Sequence, residues 1–275
     1  MSQYTVVVAI ANPDNVPNLM RIACMMACEF DGRVVAVTVV EMESEAPDPS
    51  STAHDRMSQA YDVLEMAEKM AEGCDADFDG RLAVGRKVAE VLDDVADAED
   101  AKLIVVGYSE RLHPRDDAEF ERLIDEIAAH APCNLAVARF HGEVRFGRVL
   151  VPVRTRLNLD VRRDFVTAMH NQHGATVDVV HFASSQAEVE HMRDELEDWL
   201  VERGVYDWVN LRVDVAEQPA EAIVAASSEY DAVVLGTAPL HDVRRRYFGA
   251  VSEYVAGHAR CSTFLLRTHD IRPGT

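Results

Sequence analysis

The feature that most constrains this chain is a βαβ unit that its sequence repeats. The stretch Asp231–Arg267 reads DAVVLGTAPLHDVRRRYFGAVSEYVAGHARCSTFLLR. Ala232 to Leu235 form an unbroken apolar run, which suits a strand buried on both faces of a parallel sheet. The run ends at Gly236, and a polar loop follows it. An amphipathic helix is predicted from near Gly249, and Ser262 to Leu266 give a second apolar strand. Two parallel strands joined by a helix make one complete crossover.

The same text recurs earlier in the chain. AKLIVVGYSE parallels YDAVVLGTAP, and APCNLAVAR parallels ARCSTFLLR. Val6 corresponds to Val149 and Gly32 to Gly174, 143 and 142 residues apart; Gly107 corresponds to Gly236 and Cys133 to Cys261, 129 and 128 apart. The shortening falls where the first half carries the acidic loop Glu41 to Ser51, which the second half lacks. A fixed internal period of this kind marks a duplicated structural unit.

Read in order, the first half alternates strand and helix. Tyr4 to Ile10, Arg33 to Val40, Gly80 to Val84, Leu103 to Val106 and Cys133 to Ala138 are the predicted strands. Between them, apolar residues at helical spacing (Val16, Leu19, Met20, Ala23, Ala27 in the first case) mark helices. The second half restarts with strands at Arg148 to Val153, Gly174 to Phe182 and Leu211 to Val215. Pro219 opens its third helix in the first turn, where a missing N–H costs nothing. Such alternation implies right-handed crossovers and an α/β architecture with helices on both faces of a parallel sheet. The expected domains are 1–140 and 147–268, joined by the short stretch Arg139 to Gly147 and closely apposed. Ligands in open sheets of this type bind beyond the carboxyl ends of the strands at the switch point.

Charge narrows the function. The chain carries 48 Asp and Glu against 27 Lys and Arg, a net −21, with lysine only at Lys69, Lys87 and Lys102. An acidic excess spread along the chain argues against nucleic acid and against anionic membrane surfaces, which require basic faces. It fits a protein adapted to high salt, where the Debye length shrinks to about 3 Å at 1 M. No apolar run approaches a membrane span, and MSQYTVVVAIANP lacks the basic start of a signal peptide, so a cytoplasmic protein without membrane insertion is expected. Five cysteines without CxxC spacing fit reduced thiols. Cys24 and Cys28, four apart on a helix, read as two small helix residues rather than as a metal or redox pair.

The paired five-stranded units, Gly107 and Gly236 after the fourth strands, and Glu217 to Val224 (EQPAEAIV) together resemble the universal stress protein family in its tandem form. The resemblance covers nearly the whole chain. It implies two doubly wound five-stranded parallel-sheet domains, Rossmann-like or flavodoxin-like, of the adenine-nucleotide alpha-hydrolase type. In nucleotide-binding members glycines after the fourth strand let backbone N–H groups and a helix N-terminus meet the phosphates. Gly236 and Gly249 match that pattern here. Pro239 replaces the second glycine and removes a donor, Ala250 replaces a hydroxyl residue, and Ala11 and Arg154 stand where an Asp is usual after strand one. In the first half Gly107 remains, but Glu110 replaces a glycine and EFERLID replaces the Gly-Ser segment, so no nucleotide is expected there.

For the second half, two lost phosphate contacts at about 1.5–3 kcal/mol each weaken binding by about two to four decades. Arg154, Arg244, Arg245 and Arg246, with Ser252, are the residues able to compensate by clamping phosphate oxygens. Alternatively the arginine run is a solvated loop paired with carboxylates, and Ser252 is a first-turn helix serine. His241 and His258 read as a loop and a helix residue. No GxSxG, HExxH, CxxC or GxxxxGK(S/T) is present, and AIANPDN and PVRTRLN stand where related ATP pyrophosphatases carry Ser-Gly-Gly-x-Asp-Ser. No catalytic residue or metal ligand is therefore assigned, and no enzyme activity is expected.

Three functions compete. The first is a non-enzymatic regulatory protein acting through an unknown protein partner or a ligand other than ATP. The second is a sensor of ATP or AMP, with Mg, using the second domain. The third is kinship with the cytosolic regulatory domains of amino-acid or cation transporters, which Ala11-Asn-Pro and Asn18-Leu-Met resemble. By analogy with single-domain relatives, the halves are expected to pair as an intramolecular pseudo-dimer through their last strands, with a homodimer as a further assembly.

Overall fold

The computed structural model describes residues 3–41, 51–108, 114–154, 160–236 and 249–269, with backbone alone at 51–53, 114–121 and 160–161. The chain divides into two compact units, the first running to Ala138 and the second beginning at Arg139.

The first unit alternates β1 (Thr5–Ala9), α1 (Val16–Glu29), β2 (Arg33–Glu41), α2 (Ser51–Ala71), β3 (Asp77–Gly85), α3 (Val88–Ala98), β4 (Leu103–Tyr108), α4 (Pro114–His130) and β5 (Asn134–Arg139). Its strand order is β3-β2-β1-β4-β5. The ladders β1–β2, β1–β4 and β2–β3 are parallel, with Val7 opposite both Val35 and Ile104. Val6, Val7 and Val8 are all fully buried, as a strand covered on both faces requires. On α1 the buried Val16, Leu19, Met20, Ala23, Met26 and Ala27 recur at three- and four-residue intervals and form the stripe that covers the sheet. A short 3-10 turn, Pro13–Asn15, leads into it, capped by the Asn12 side chain accepting from Asp14 N at 3.0 Å.

The second unit repeats the plan with β6 (Arg148–Pro152), α5 (Asp160–His173), β7 (Thr176–Ala183), α6 (Gln186–Glu202), β8 (Val209–Val215), α7 (Pro219–Ala226), β9 (Ala232–Gly236), α8 (Ala250–His258) and β10 (Ser262–Arg267). Its order, β8-β7-β6-β9-β10, is that of the first unit strand for strand. The ladders β6–β7, β6–β9, β7–β8 and β9–β10 are parallel. Phe165 and Phe264 lie at its centre, both fully buried, their rings 5.3 Å apart.

The structure differs from the sequence expectations mainly at strand ends. β3 and β8 start earlier than Gly80 and Leu211, because edge strands expose one side and lack the apolar run that marks a central strand. Gly174 precedes β7 rather than opening it, and its φ of 66° places it in a left-handed turn after α5.

In both units β1 and β6 are flanked by strands reached through crossovers in opposite directions. The switch points therefore lie between β1 and β4 and between β6 and β9.

Candidate functional site

In the second unit the carboxyl ends of β6 and β9 meet a buried cation. Arg162, in the first turn of α5, is 5% exposed, and its NH1 donates to Pro152 O, the last residue of β6, at 2.9 Å. The guanidinium also lies on Gly236, the last residue of β9: a methyl group built there would fall 2.8 Å from Nε and 2.9 Å from Cζ. Burial lowers the Arg162 pKa to about 10, and the side chain keeps its proton at neutral pH.

Two of the predicted residues, Gly236 and Ser252, meet at this point. Ser252, in the first turn of α8, donates its hydroxyl to Gly236 O at 2.9 Å and ties the helix to the end of β9. Gly249 is the N-cap of α8 with φ 73° and ψ 150°, a conformation open to glycine and strained for other residues. Ala250 is the first residue of α8 and is exposed. Arg154 follows β6 and is also exposed. Arg244, Arg245, Arg246, Pro239 and His241 lie outside the described residues, as does Glu110 in the first unit. His258 ends α8, its Nδ1 donating to Tyr254 O at 2.8 Å. At the end of β7 the buried His181 donates from Nδ1 to Val153 O at 2.9 Å, fixing the chain just beyond β6.

Sequence reasoning missed Arg162. The repeat offsets of 143 and 142 place it opposite Leu19 and Met20, both buried on α1. An arginine in the covering stripe of a helix, where its counterpart is apolar, was the available signal.

In the first unit a cavity of about 720 Å³ opens past the carboxyl ends of β1, β2 and β3. Thr38 and Glu41 line it from β2, Ala11 from just past β1, Arg56 and Gln59 from α2, and Arg86 from the turn before α3. Arg56 reaches across to Glu41 O at 3.4 Å. Its size is that of a small-molecule site, and its wall carries the exposed guanidinium groups of Arg56 and Arg86 beside the exposed Glu41. Arg56 belongs to no motif, and Arg86 stands after Gly85 in the stretch that answers to EQPAEAIV of the second half, where nothing in the sequence marked it for a binding role. At the neighbouring switch point Asn15 Nδ2 donates to Tyr108 O at 3.4 Å. Among the described residues no group of three or more His, Cys, Asp or Glu is placed to hold a metal ion, and no helix is long and apolar enough to cross a membrane.

Comparison with known proteins follows the same duplication. A universal stress protein from Archaeoglobus fulgidus shares the fold at a TM-score of 0.71 and 14% identity, covering 98% of both chains. The cytoplasmic domain of a prokaryotic cation chloride cotransporter shares it at 0.65 and 12%, covering 96% of this chain and 95% of the other. In sequence the chain is 26% identical over 258 residues to the Na(+)/H(+) antiporter NhaS5 of Synechocystis sp.. That match takes in 91% of this chain but only 36% of the antiporter's length. The universal stress protein family model matches residues 4–139 and again 146–267. The chain therefore belongs to the universal stress protein family and carries two of its domains in tandem.

Proposed function

We propose that this chain is a non-enzymatic regulatory protein that has given up ATP in its second domain and responds through protein contacts and a small anionic ligand other than ATP. The observation that carries this reading is the Arg162 guanidinium lying on Gly236. A phosphate cradled by the loop after β9 needs the open backbone face of that glycine. Here the face is covered, Arg162 NH1 is committed to Pro152 O, and the Ser252 hydroxyl is committed to Gly236 O. Pro239 supplies no N–H and Ala250 no hydroxyl. The residues present in the second domain therefore do not fit ATP or AMP with Mg. With Arg162 packed on it, position 236 has no room for a side chain. The ligand site of this reading is the cavity of the first unit, with Arg56 and Arg86 as its anion-binding groups.

Two assays test it together. Protein purified in molar salt and then denatured releases no stoichiometric nucleotide, and phosphate release from ATP stays at the rate of the buffer. Bound ATP or AMP at one per chain, or turnover above that background, contradicts the proposal.

A second reading concerns the partner. The likeness to a cation antiporter runs across 91% of the chain, which favours a cation transporter as the protein that this module regulates. Sodium–proton exchange in vesicles carrying a cation antiporter of the same organism changes in rate when the purified chain is added to the cytosolic face. An unchanged rate sinks this reading and leaves the first intact.

A further inference from the structure

Three of the five cysteines meet in the first unit, away from both sites described above. Cys24 and Cys28 stand one turn apart on α1, and Cys74 lies in the turn just after α2. The Cys28 and Cys74 sulfurs are 3.5 Å apart, and Cys24 interacts with the same Cys74 sulfur. All three are half-buried and carry free thiols. Cys133 and Cys261 are instead buried in the core, 5% and 9% exposed. Oxidants in solution therefore meet the cluster rather than the core thiols.

We propose that Cys28 and Cys74 form a reversible disulfide when the protein meets a hydroperoxide, so that the first domain carries a redox-responsive modification site. One thiolate attacks the peroxide oxygen, the O–O bond breaks, and a sulfenic acid forms with release of an alcohol, or of water from hydrogen peroxide. The second sulfur then displaces hydroxide from the sulfenic sulfur, which leaves as water with the remaining thiol proton. Two thiols lose two electrons and two protons in all, and one peroxide is reduced.

Geometry favours this pair. The sulfurs must close from 3.5 Å to about 2.05 Å. Cys74 sits in a turn, where a small backbone shift is less costly than in a helix, whereas Cys24 and Cys28 share one rigid helix. Burial and the neighbouring thiols raise both Cys24 and Cys28, Asp75 adding to the effect on Cys28 by its charge while its backbone hydrogen bond opposes it. The raised pKa of Cys28 lowers its thiolate fraction, so the 3.5 Å approach of the two sulfurs is what selects this pair. The bond would close an interval of 46 residues and fasten the end of α2 to α1; the other end of α2 supplies Arg56 and Gln59 to the cavity.

The full chain is treated with hydrogen peroxide, alkylated under denaturing conditions and mapped by peptide mass spectrometry. The free thiol count falls from the five of the sequence to three, a Cys28–Cys74 cross-linked peptide appears, and dithiothreitol restores all five. Cys24→Ser keeps the cross-link, and Cys74→Ser loses it. Five thiols surviving in the wild type, a cross-link through Cys133 or Cys261, or its disappearance in Cys24→Ser would overturn the proposal. The wild-type map decides the matter even if a variant does not fold.

Discussion

Arg162 and Gly236 form one packed pair: the guanidinium of the first lies where a side chain on the second would begin, 2.8 Å from an added Cβ. The pair sits at the switch point between β6 and β9, the place where a sheet of this topology receives its ligand. Arginine and glycine depend on one another there, so each can be tested through the other.

Gly236→Ala forces the guanidinium or β9 to move and is expected to cost about 1–3 kcal/mol. Gly257→Ala is the control. Gly257 is exposed on α8, an added methyl there finds no neighbour nearer than 3.8 Å, and alanine is the better helix former, so stability is unchanged or gains up to about 1 kcal/mol. Guanidinium denaturation followed by circular dichroism measures both. Equal stability of Gly236→Ala and the wild type would show that Arg162 does not pack on this glycine.

Acid sensitivity is expected from Glu99, just after α3. Arg81 NH1 meets its Oε1 at 2.6 Å, and Arg33 hydrogen-bonds its Oε2. The Arg81 hydrogen bond, then the charges of Arg81 and Arg33, hold its carboxyl below the usual 4.5. A carboxyl lowered by folding contributes stability that is present above its unfolded value and is lost as pH falls through the folded one. Wild-type stability therefore drops as pH falls below about 4.5, and Glu99→Gln is less stable at pH 7 and shows a shallower drop. Parallel pH curves for the two proteins would remove Glu99 as the cause.

The two units and their element order could be read from the repeat, because buried parallel strands announce themselves as β-branched runs and Gly107 and Gly236 punctuate both copies. Gly249, which has no counterpart in the first half, was legible from the family pattern instead, and its positive φ gives the physical ground for the glycine. Arg162 was not, since helix periodicity reports which positions face the sheet and not which of them carries a charge that the sheet's carboxyl end can hold. Cys74 approaches Cys28 only through the packing of α2 on α1, a contact 46 residues apart that no local spacing records. Arg56 and Arg86 reach one cavity from a helix and a turn, and separately each looks like a solvated arginine.

Salt is expected to stabilise the protein. With a net charge of −21, repulsion between carboxylates falls as the Debye length shortens from about 10 Å at 0.1 M to about 3 Å at 1 M. The midpoint of thermal unfolding rises between low and molar potassium chloride. An unchanged midpoint would separate the acidic composition from any adaptation to salt.

The most direct measurement of the central claim is a calorimetric titration of ATP, ADP and AMP with Mg²⁺ in molar salt, on the wild type and on Gly249→Trp, with the fold of the variant checked because that glycine holds a left-handed conformation. The account predicts no binding tighter than about 1 mM to either protein, since the covered Gly236 and the missing donors remove several kcal/mol of phosphate contact. Micromolar binding to the wild type that disappears in a folded Gly249→Trp would contradict it. That result would show that Arg154, Arg244 and Arg245 rebuild the phosphate site that Arg162 is argued to have closed.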